Sequence, residues 1–160
     1  MLGSHFLKAD WLDTPLGSMI AMADEKALYV LEFMDRERST HSAITTGRTE
    51  PIDSIAKELR LYFEGKLELF QTPIKMTGSA FQTEVWSKLQ QIPLGKTCSY
   101  AEIARAIKNP LAVRAVGRAN AANLLAIIIP CHRVINANGD LGGYSGGIKR
   151  KEWLLNHEKR

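Results

Sequence analysis

The chain has 160 residues, of which 45% are hydrophobic and 24% charged, and a formal net charge of +4. This composition is typical of one compact globular unit or of two small lobes. No apolar run approaches the roughly 20 residues of a membrane-spanning helix, and the N-terminal residues lack the basic start, apolar core and cleavage site of a secretory signal. We therefore expect no membrane partner and a cytoplasmic address.

The charge is distributed unevenly along the chain. Residues 1–77 contain nine Lys and Arg against twelve Asp and Glu, a net charge of −3, whereas residues 78–160 contain twelve against five, a net charge of +7. This asymmetry indicates that the second half meets a polyanion and the first half does not, although a solvated basic face would give the same count. We therefore divide the chain into a supporting lobe, 1–77, and a second domain, 78–160.

The first half is predicted to form β structure followed by a helix. Residues 19–23 and 27–33 are typical of a hairpin around a short polar turn, while residues 34–50 are polar and featureless. After Pro51, apolar residues at helical spacing predict a helix that ends near Gly65. Nothing in this half suggests chemistry, and the segment that follows, 71–78, has the Pro and Gly of a linker.

The second half opens with two predicted helices that carry the same start signal. Ser79 and Gln82 form a capping box, and Ser99 and Glu102 form another. The predicted buried stripe of the first helix consists of Phe81, Val85, Leu89 and Ile92. The close succession of the two boxes predicts short helices separated by a tight connection.

A third helix is predicted over residues 110–121, with Asn109 as its cap and Pro110 in its first turn. Two helices joined by about two residues are typical of a helix-turn-helix, whose second helix is the one offered to DNA. Its predicted core side carries Val113, Val116 and Asn120. Its predicted exposed side carries Arg114, Gly117, Arg118 and Ala121. A plain helical hairpin with two solvated arginines would have the same pattern.

The two cysteines, Cys98 and Cys131, and the four histidines lack the paired spacing of a structural zinc site, so we expect no metal. The count alone allows one disulfide, but a cytoplasmic address favours two free thiols. Cys98 has no histidine nearby in the sequence, and we interpret it as a structural thiol.

Cys131 is the candidate nucleophile. It follows an apolar run, residues 125–129, that we predict to be a buried strand ended by proline. His132 and Arg133 come next and are groups able to favour a thiolate, the reactive form of cysteine. Adjacent side chains of an extended chain point to opposite faces, so either the chain turns at Cys131 or a water relays its proton to His132.

A glycine-rich loop, residues 141–147, lies beyond a turn at 136–140. It matches neither a Walker loop nor a dinucleotide fingerprint. Its glycines can bring backbone amides and the hydroxyls of Tyr144 and Ser145 close to a planar ligand, and a flexible linker is the alternative. A short helix over residues 148–157 precedes Glu158.

These motifs make residues 81–158 closely similar to the O6-alkylguanine-DNA alkyltransferases, also called methylated-DNA protein-cysteine methyltransferases. The strongest motif is Ile-Pro-Cys-His-Arg-Val at 129–134. Supporting motifs are Arg-Ala-Val-Gly at 114–117, Tyr-Ser-Gly-Gly at 144–147 and Lys-Glu-Trp-Leu-Leu at 151–155. Residues 1–75 resemble the family only loosely.

The resemblance implies an α+β fold, with an N-terminal antiparallel sheet and helix (an RNase H-like lobe) followed by a mostly helical C-terminal lobe that contains the helix-turn-helix. It implies a monomeric repair protein that needs no cofactor and binds double-stranded DNA containing O6-alkylguanine. The protein would flip O6-methylguanine, and less readily O4-methylthymine, out of the duplex. It would then transfer the alkyl group irreversibly to Cys131, once per molecule.

Carried over position by position, the resemblance also implies roles for individual residues. Cys131 would accept the alkyl group, His132 would be the water-relayed base, and Glu158 would orient it. Asn123 would brace the helix-turn-helix against the site. Tyr100 would rotate the 3′ phosphate and Arg114 would fill the gap in the base stack. The implied DNA-binding residues are Tyr100, Ala101, Asn109, Arg114, Gly117 and Arg118. The implied base pocket consists of Tyr144, Ser145, Gly146 and Val134.

Two other functions are compatible with parts of this pattern. One is a non-catalytic module that binds alkyl lesions or regulates through the helix-turn-helix, against which the retention of Cys131 counts. The other is a thiol hydrolase, although separate strands usually supply the cysteine and histidine of such enzymes.

Overall fold

The computed structural model of the chain describes residues 7–34 and 45–159. It contains two compact units, Met1–Met76 and Thr77–Arg160. The first unit combines a sheet with a helix and the second is mostly helical, so the predicted α+β class is confirmed. Among the described residues, no helix has both the length and the apolar character needed to cross a membrane.

Within its described residues, 7–34 and 45–76, the first unit consists of a four-stranded sheet and one helix. Its elements are β1 (Lys8–Thr14), β2 (Gly17–Ala23), β3 (Leu28–Phe33), β4 (Thr45–Thr46) and α1 (Glu50–Phe63). The strand order is β3-β2-β1-β4, and β2 pairs antiparallel with both β1 and β3. The predicted hairpin is therefore confirmed, while β4 adds one parallel pair against β1.

Strand β1 has no counterpart in the sequence prediction. Of its seven residues only Ala9 and Leu12 are buried, a spacing of three that breaks the alternation by which strands are recognised. The strand is stabilised by backbone pairing with β2 on one side and β4 on the other, which the pattern of its side chains does not predict.

The core of the first unit includes both faces of β2 and one face of α1, which packs against β1 and β2. Residues 19–23 of β2 are all buried, and α1 buries Ile52, Ile55, Leu59 and Tyr62 at spacings of three and four, as one face of an amphipathic helix requires. Just beyond the helix, Gly65 has a φ of 76°, the left-handed conformation that commonly ends helices. The predicted helix and its stop are thus confirmed.

The segment after α1 is tied down more firmly than a linker. The Glu58 carboxylate accepts the backbone N–H groups of Gln71 (2.7 Å) and Thr72 (3.0 Å). The backbone of Leu28 exchanges hydrogen bonds with Pro73 and Lys75, each 2.8 Å. Proline and glycine indicate that a helix has ended, but they do not distinguish a free connection from one bonded to a sheet edge.

The second unit consists of four α-helices and a small parallel sheet. The helices are α2 (Ala80–Leu89), α3 (Tyr100–Ala106), α4 (Val113–Ala121) and α5 (Ile148–Glu158), and the strands are β5 (Cys98–Ser99) and β6 (Val134–Ile135). Both predicted capping boxes are present, with each serine hydroxyl accepting from a backbone N–H and each third-position side chain reaching back.

Helix α2 packs through more residues than its predicted stripe. Val85, Leu89 and Ile92 are buried as expected, whereas Phe81 is only half-buried. Trp86 is also buried, and its indole N–H donates to the carbonyl of Ala119 on α4 at 2.8 Å. A directional bond therefore joins α2 to the end of α4.

The predicted cap of the third helix is wrong. Helix α4 begins at Val113, its N-cap is Ala112, and no side chain caps it. Lys108 takes a left-handed φ of 61°, and the N–H of Asn109 donates to the carbonyl of Ala104 at 2.9 Å. Asn109 therefore completes the end of α3, which leaves it too early in the chain to start α4.

The exposed row predicted on α4 is largely present. Arg114, Arg118 and Ala121 are exposed, and Gly117 is half-buried. The buried side consists of Val116, Ala119 and Asn120. Val113 was expected in the core but is 37% exposed, because it lies at the very start of the helix, before the turns that pack.

The capping of α2 gives a first prediction. Ser79→Ala should lower the free energy of unfolding by about 1 kcal/mol, because the Gln82 N–H loses its acceptor. Ser87→Ala, on the same helix, is the control. The Ser87 hydroxyl donates to the Thr83 carbonyl, which keeps its hydrogen bond within the helix when the hydroxyl is removed, and alanine has a high helix propensity. Urea denaturation followed by circular dichroism measures both, and equal losses would contradict the capping role.

Candidate active site around Cys131

Cys131 begins a single 3₁₀ turn, Cys131–Arg133, and does not follow a strand. The predicted strand at 125–129 is wrong. Ile127 has a φ of 73°, which no strand accommodates, and the N–H of Ile129 donates to the carbonyl of Leu125 at 2.9 Å. The apolar run reflects burial, which a buried loop needs as much as a buried strand. The chain therefore turns at Cys131, as the first of the two expected geometries requires, and the water relay to His132 stays a prediction.

His132 and Arg133 share one buried carboxylate. His132 Nε2 lies 2.8 Å from Glu158 Oε2, and Arg133 donates to both oxygens of Glu158 at 2.8 and 3.1 Å. Arg133 Nη1 also donates to the Ile92 carbonyl at 2.7 Å. Burial raises the pKa of Glu158, but the hydrogen bonds from His132 and Arg133 outweigh it and hold that pKa at about 2. Glu158 is therefore an anion throughout the physiological range.

The ionised Glu158 determines which nitrogen of His132 carries a proton. A carboxylate only accepts hydrogen bonds, so Nε2 must be the N–H donor. Burial lowers the pKa of His132, against the opposing effect of Glu158, and the ring is neutral. Nδ1 then holds a lone pair, and it has no hydrogen-bond partner within the described residues. His132 is thus built as a proton acceptor.

Cys131 is 2% exposed, and burial raises the pKa of its thiol. The amide of Asn123 and the charge of Lys151 act in the opposite direction. Arg133 was expected to favour the thiolate, but its guanidinium is engaged by Glu158 and the Ile92 carbonyl. The resting sulfur is therefore a thiol that needs a base to become nucleophilic.

Lys151 is a site residue that the sequence reasoning missed. It is fully buried, and its ammonium donates to the carbonyls of Val134 (2.6 Å) and Gly143 (3.0 Å). Burial lowers the pKa of Lys151 to about 8, although the neighbouring Cys131 raises it. Lysine is rarely buried, and only its place in a family motif could have drawn attention to it.

A cavity of about 380 Å³ opens over Cys131, within the range of small-molecule sites. Its walls come from α3, α4 and the glycine-rich loop. The lining residues are Tyr100, Gly117, Asn120, Ala121, Cys131, Gly143, Tyr144 and Ser145. The cavity therefore joins the candidate nucleophile to the predicted DNA-facing helix.

The glycine-rich loop is a fixed wall of this cavity. The Gly147 N–H donates to the Tyr144 carbonyl at 3.0 Å, and Lys151 holds the Gly143 carbonyl. Gly142 has a φ of 73°, and a Cβ there would lie 3.2 Å from the Tyr100 hydroxyl. The positive φ strongly favours glycine at this position, and the close approach of Tyr100 leaves little room for a larger residue.

Tyr144 presents a buried hydroxyl with no partner in the part of the chain that the structure describes. Burial raises the pKa of this phenol, and the nearby Cys131 raises it further. Tyr144 therefore remains a neutral O–H donor at physiological pH, beside the candidate nucleophile.

The structure brings together only part of the residue set expected at the site. Tyr100, Gly117, Tyr144 and Ser145 line the cavity with Cys131. Asn123 is buried behind it, where its amide donates to the carbonyl of Ile129 at 2.9 Å. Outside the cavity lining are Val134, Gly146, Ala101, Asn109, Arg114 and Arg118. Of these, Val134 is buried, Gly146 and Ala101 are half-buried, and the others are exposed.

Cys98 differs from Cys131 in its surroundings. It is half-buried in β5, and burial and the nearby Glu102 both raise the pKa of its thiol. Both cysteines are free thiols, but Cys131 is the one followed in the chain by a histidine that is hydrogen-bonded to a buried carboxylate.

Comparison with known families matches nearly the whole chain. Residues 80–160 match the model of the 6-O-methylguanine DNA methyltransferase DNA-binding domain. Residues 7–76 match the model of the ribonuclease-like domain of 6-O-methylguanine DNA methyltransferase.

Individual relatives match over comparable lengths. A methylated-DNA–protein-cysteine methyltransferase of Methanosarcina mazei is 43% identical over 92% of this chain and 94% of its own length. One from Shigella flexneri is 40% identical over 91% of each chain. Among solved structures, the Mycobacterium tuberculosis O6-methylguanine methyltransferase superposes with a TM-score of 0.87 at 39% identity, covering 96% of this chain and 93% of that one.

The buried carboxylate gives a second prediction. Glu158→Gln should lower the free energy of unfolding at pH 7 by about 3–5 kcal/mol, because Arg133 loses its buried counter-charge. Since folding depresses the pKa of Glu158 from its ordinary 4.5 to about 2, its contribution is present above pH 4.5 and is lost as the pH falls toward 2.

Urea titrations at several pH values measure this effect. The wild-type protein should lose stability between pH 4.5 and 2 in excess of the loss in Glu158→Gln. Glu152→Gln, an exposed change on the same helix, should behave as wild type. Parallel pH profiles for wild type and Glu158→Gln would contradict the assignment.

Proposed function

The chain belongs to the 6-O-methylguanine DNA methyltransferase family, and on that premise we propose that it repairs DNA by transferring the alkyl group of O6-methylguanine to Cys131. The observation that carries this proposal is the placement of Cys131 in the cavity lining, directly followed in the chain by a buried, neutral His132 whose Nε2 is hydrogen-bonded to the anionic Glu158. A thiol with a neighbouring base, and with no second group to receive the alkyl group from it, suits a reaction in which the alkyl group stays on the protein.

The chemical step is a displacement at the alkyl carbon. A water between Cys131 and His132 passes the thiol proton to Nδ1, and the sulfur then forms a bond to the alkyl carbon as the bond from that carbon to O6 breaks. The electron pair of the broken bond remains on the guanine, which takes one proton from water at ring nitrogen N1 and becomes normal guanine, while His132 releases the thiol proton to water. The thioether left on Cys131 does not hydrolyse readily, so each molecule acts once.

The leaving oxygen gains negative charge as the bond breaks. Tyr144 keeps its proton and lies on the cavity wall with Ser145, so it can donate a hydrogen bond to that oxygen. Donors held in place before the reaction stabilise developing charge without reorganising. Lys151 fixes this wall through the Gly143 carbonyl, and its charge opposes the rise that burial causes in the pKa of the Cys131 thiol.

Binding of duplex DNA is assigned to the helix-turn-helix. Helix α4 exposes Arg114 and Arg118, and residues 78–160 carry the positive charge of the chain. Extruding a base costs a few kcal/mol, less when the lesion has weakened its pairing, and phosphate contacts offset this cost. In the proposal Arg114 fills the space that the base leaves, and Tyr100, which lines the cavity, rotates the 3′ phosphate.

A related structure supports the choice of partner: a Mycobacterium tuberculosis protein determined in complex with DNA superposes with a TM-score of 0.85 at 40% identity. The proposal also includes a cytoplasmic address, because the acceptor must stay reduced. We also propose that the protein acts as a monomer, because one chain supplies every residue of the site. O4-methylthymine is proposed as a poorer substrate.

The test of this function is the mass of the intact protein after exposure to duplex DNA containing O6-trideuteromethylguanine. Wild type should gain one trideuteromethyl group, located on Cys131 by peptide sequencing, and then stop. Cys131→Ala should bind the same DNA and gain nothing, while Cys98→Ala should react as wild type. Binding without mass gain would indicate a lesion-binding module, and turnover without mass gain would indicate a hydrolase.

The role of Arg114 gives a separate prediction. Arg114→Ala should slow transfer from duplex DNA by about tenfold or more, since about 1.4 kcal/mol of extrusion cost suffices for that factor. Transfer from free O6-benzylguanine, which needs no extrusion, should be nearly unchanged. Arg60→Ala, an exposed change on α1, controls for loss of charge. Equal slowing with both substrates would remove Arg114 from the extrusion step.

A further inference from the structure

Four consecutive apolar residues, 110–113, lie where the connection from α3 leads into α4, and they are largely exposed. Leu111 is 94% exposed and Val113 is 37% exposed. The N–H of Ala112 donates to the Asn109 carbonyl at 3.0 Å, so this segment, which we call the apolar turn, is a tight turn of defined geometry. Single apolar side chains on a surface are common, but an exposed run of this length is unfavourable unless it has a function.

The apolar turn also lacks a stabilising contact at the start of α4. Ala112 occupies the N-cap position, and no side chain caps the helix. Ser, Thr, Asp or Asn at this position would accept a hydrogen bond from a backbone N–H and typically stabilises a helix. The four residues therefore depart from two local preferences at once, and such departures are expected where a sequence serves function rather than stability.

The surroundings of the apolar turn favour DNA as the partner that covers it. Lys108 precedes the turn and Arg114 follows it, both exposed, and the sequence contains no acidic residue between Glu102 and Asp140. Cations of this kind contact phosphates, while apolar side chains contact the bases between them. Because Arg114 is the residue assigned to the space that the extruded base leaves, the apolar turn lies directly beside the point of extrusion.

An apolar side chain at this point can assist extrusion. In proteins that bend DNA, side chains such as leucine and proline enter between neighbouring base pairs, and the contacts that they make offset the loss of stacking. Leu111 lies three residues before Arg114 and is almost wholly exposed in the free protein. The burial of its side chain against DNA is therefore gained entirely on binding, when it favours the complex.

We propose that Leu111 is an apolar wedge that enters the base step beside the extruded nucleotide and holds the duplex open, an inference that rests on the proposed function. The wedge stabilises the extruded state without touching the reacting atoms, so its effect is confined to duplex substrates. An uncharged side chain releases no counterions from DNA, so its contribution to binding does not depend on salt. Arg114 and Leu111 thus act on the same step through different physical interactions.

The test compares wild type with Leu111→Ser, which should be nearly as stable because the side chain is exposed. Intact mass follows alkyl transfer to Cys131 from duplex DNA containing O6-methylguanine and from free O6-benzylguanine. Leu111→Ser should slow transfer from the duplex by about tenfold, the effect of leaving much of a leucine side chain in water, and should leave transfer from the free base unchanged. Leu69→Ser, which changes a leucine of the first unit that is 75% exposed, should match wild type with both substrates.

Further variants separate a wedge from a contact with phosphate. Leu111→Met keeps an apolar side chain of similar size and should retain most of the wild-type rate, whereas Leu111→Lys places a cation at the same point and should stay slow. When the lesion lies opposite an abasic site, wild type and Leu111→Ser should react at similar rates, because an unpaired base is easier to extrude. Wild type and Leu111→Ser should lose DNA affinity with rising salt at the same slope, whereas Arg118→Ala should lower that slope by about one.

Equal rates for wild type and Leu111→Ser on duplex DNA would overturn the inference, and so would a wild-type rate in Leu111→Lys, because the residue would then lie against phosphate. A dimer of wild type that Leu111→Ser dissociates, measured by sedimentation of the free protein, would also overturn it, since the apolar turn would then join two copies of the chain. Failure of wild type to accept an alkyl group from either substrate would instead refute the proposed function itself, which separates the two outcomes.

Discussion

The rest of the site depends on the buried carboxylate of Glu158. From the last residue of α5 it holds two consecutive residues of the turn that begins at Cys131, and through Arg133 it is linked to the carbonyl of Ile92 beyond α2. One anion thus sets the position of the turn, the tautomer of His132 and the direction of its lone pair. Breaking a buried charge pair of this kind is costly, so the geometry of the nucleophile is stabilised with the fold.

Burial and charge act against each other at Cys131. The apolar surroundings raise the pKa of its thiol, and Asn123 and Lys151 only moderate that effect. A buried sulfur that remains a protonated thiol is shielded from solvent and reacts slowly with electrophiles in solution. Its reactivity depends on a substrate that enters the cavity and on a neutral histidine ready to take the proton. Selectivity and activation therefore come from the same enclosed geometry.

Features encoded by neighbouring residues were predictable from the sequence, and features created by distant ones were not. The capping boxes of α2 and α3 and the hairpin of β2 and β3 depend on short-range patterns, and all are present. The Cys-His motif indicated the candidate nucleophile, although it left open whether the chain turns there. Lys151 and Trp86 owe their importance to partners 8 to 33 residues away, so their spacing carries no signal. Asn109 was misplaced because its backbone serves the preceding helix.

The contrast between local and distant bonds also bears on how the second unit folds. The capping bonds of α2 and α3 close loops of three residues, whereas those of Glu158 span 25 and 26 residues and that of Arg133 to Ile92 spans 41. The entropy lost on closing a loop grows with its length, and non-local contacts form late. We expect the helices to appear early and the relay to be completed only in the final, cooperative step, so that partly folded chains carry an inert cysteine.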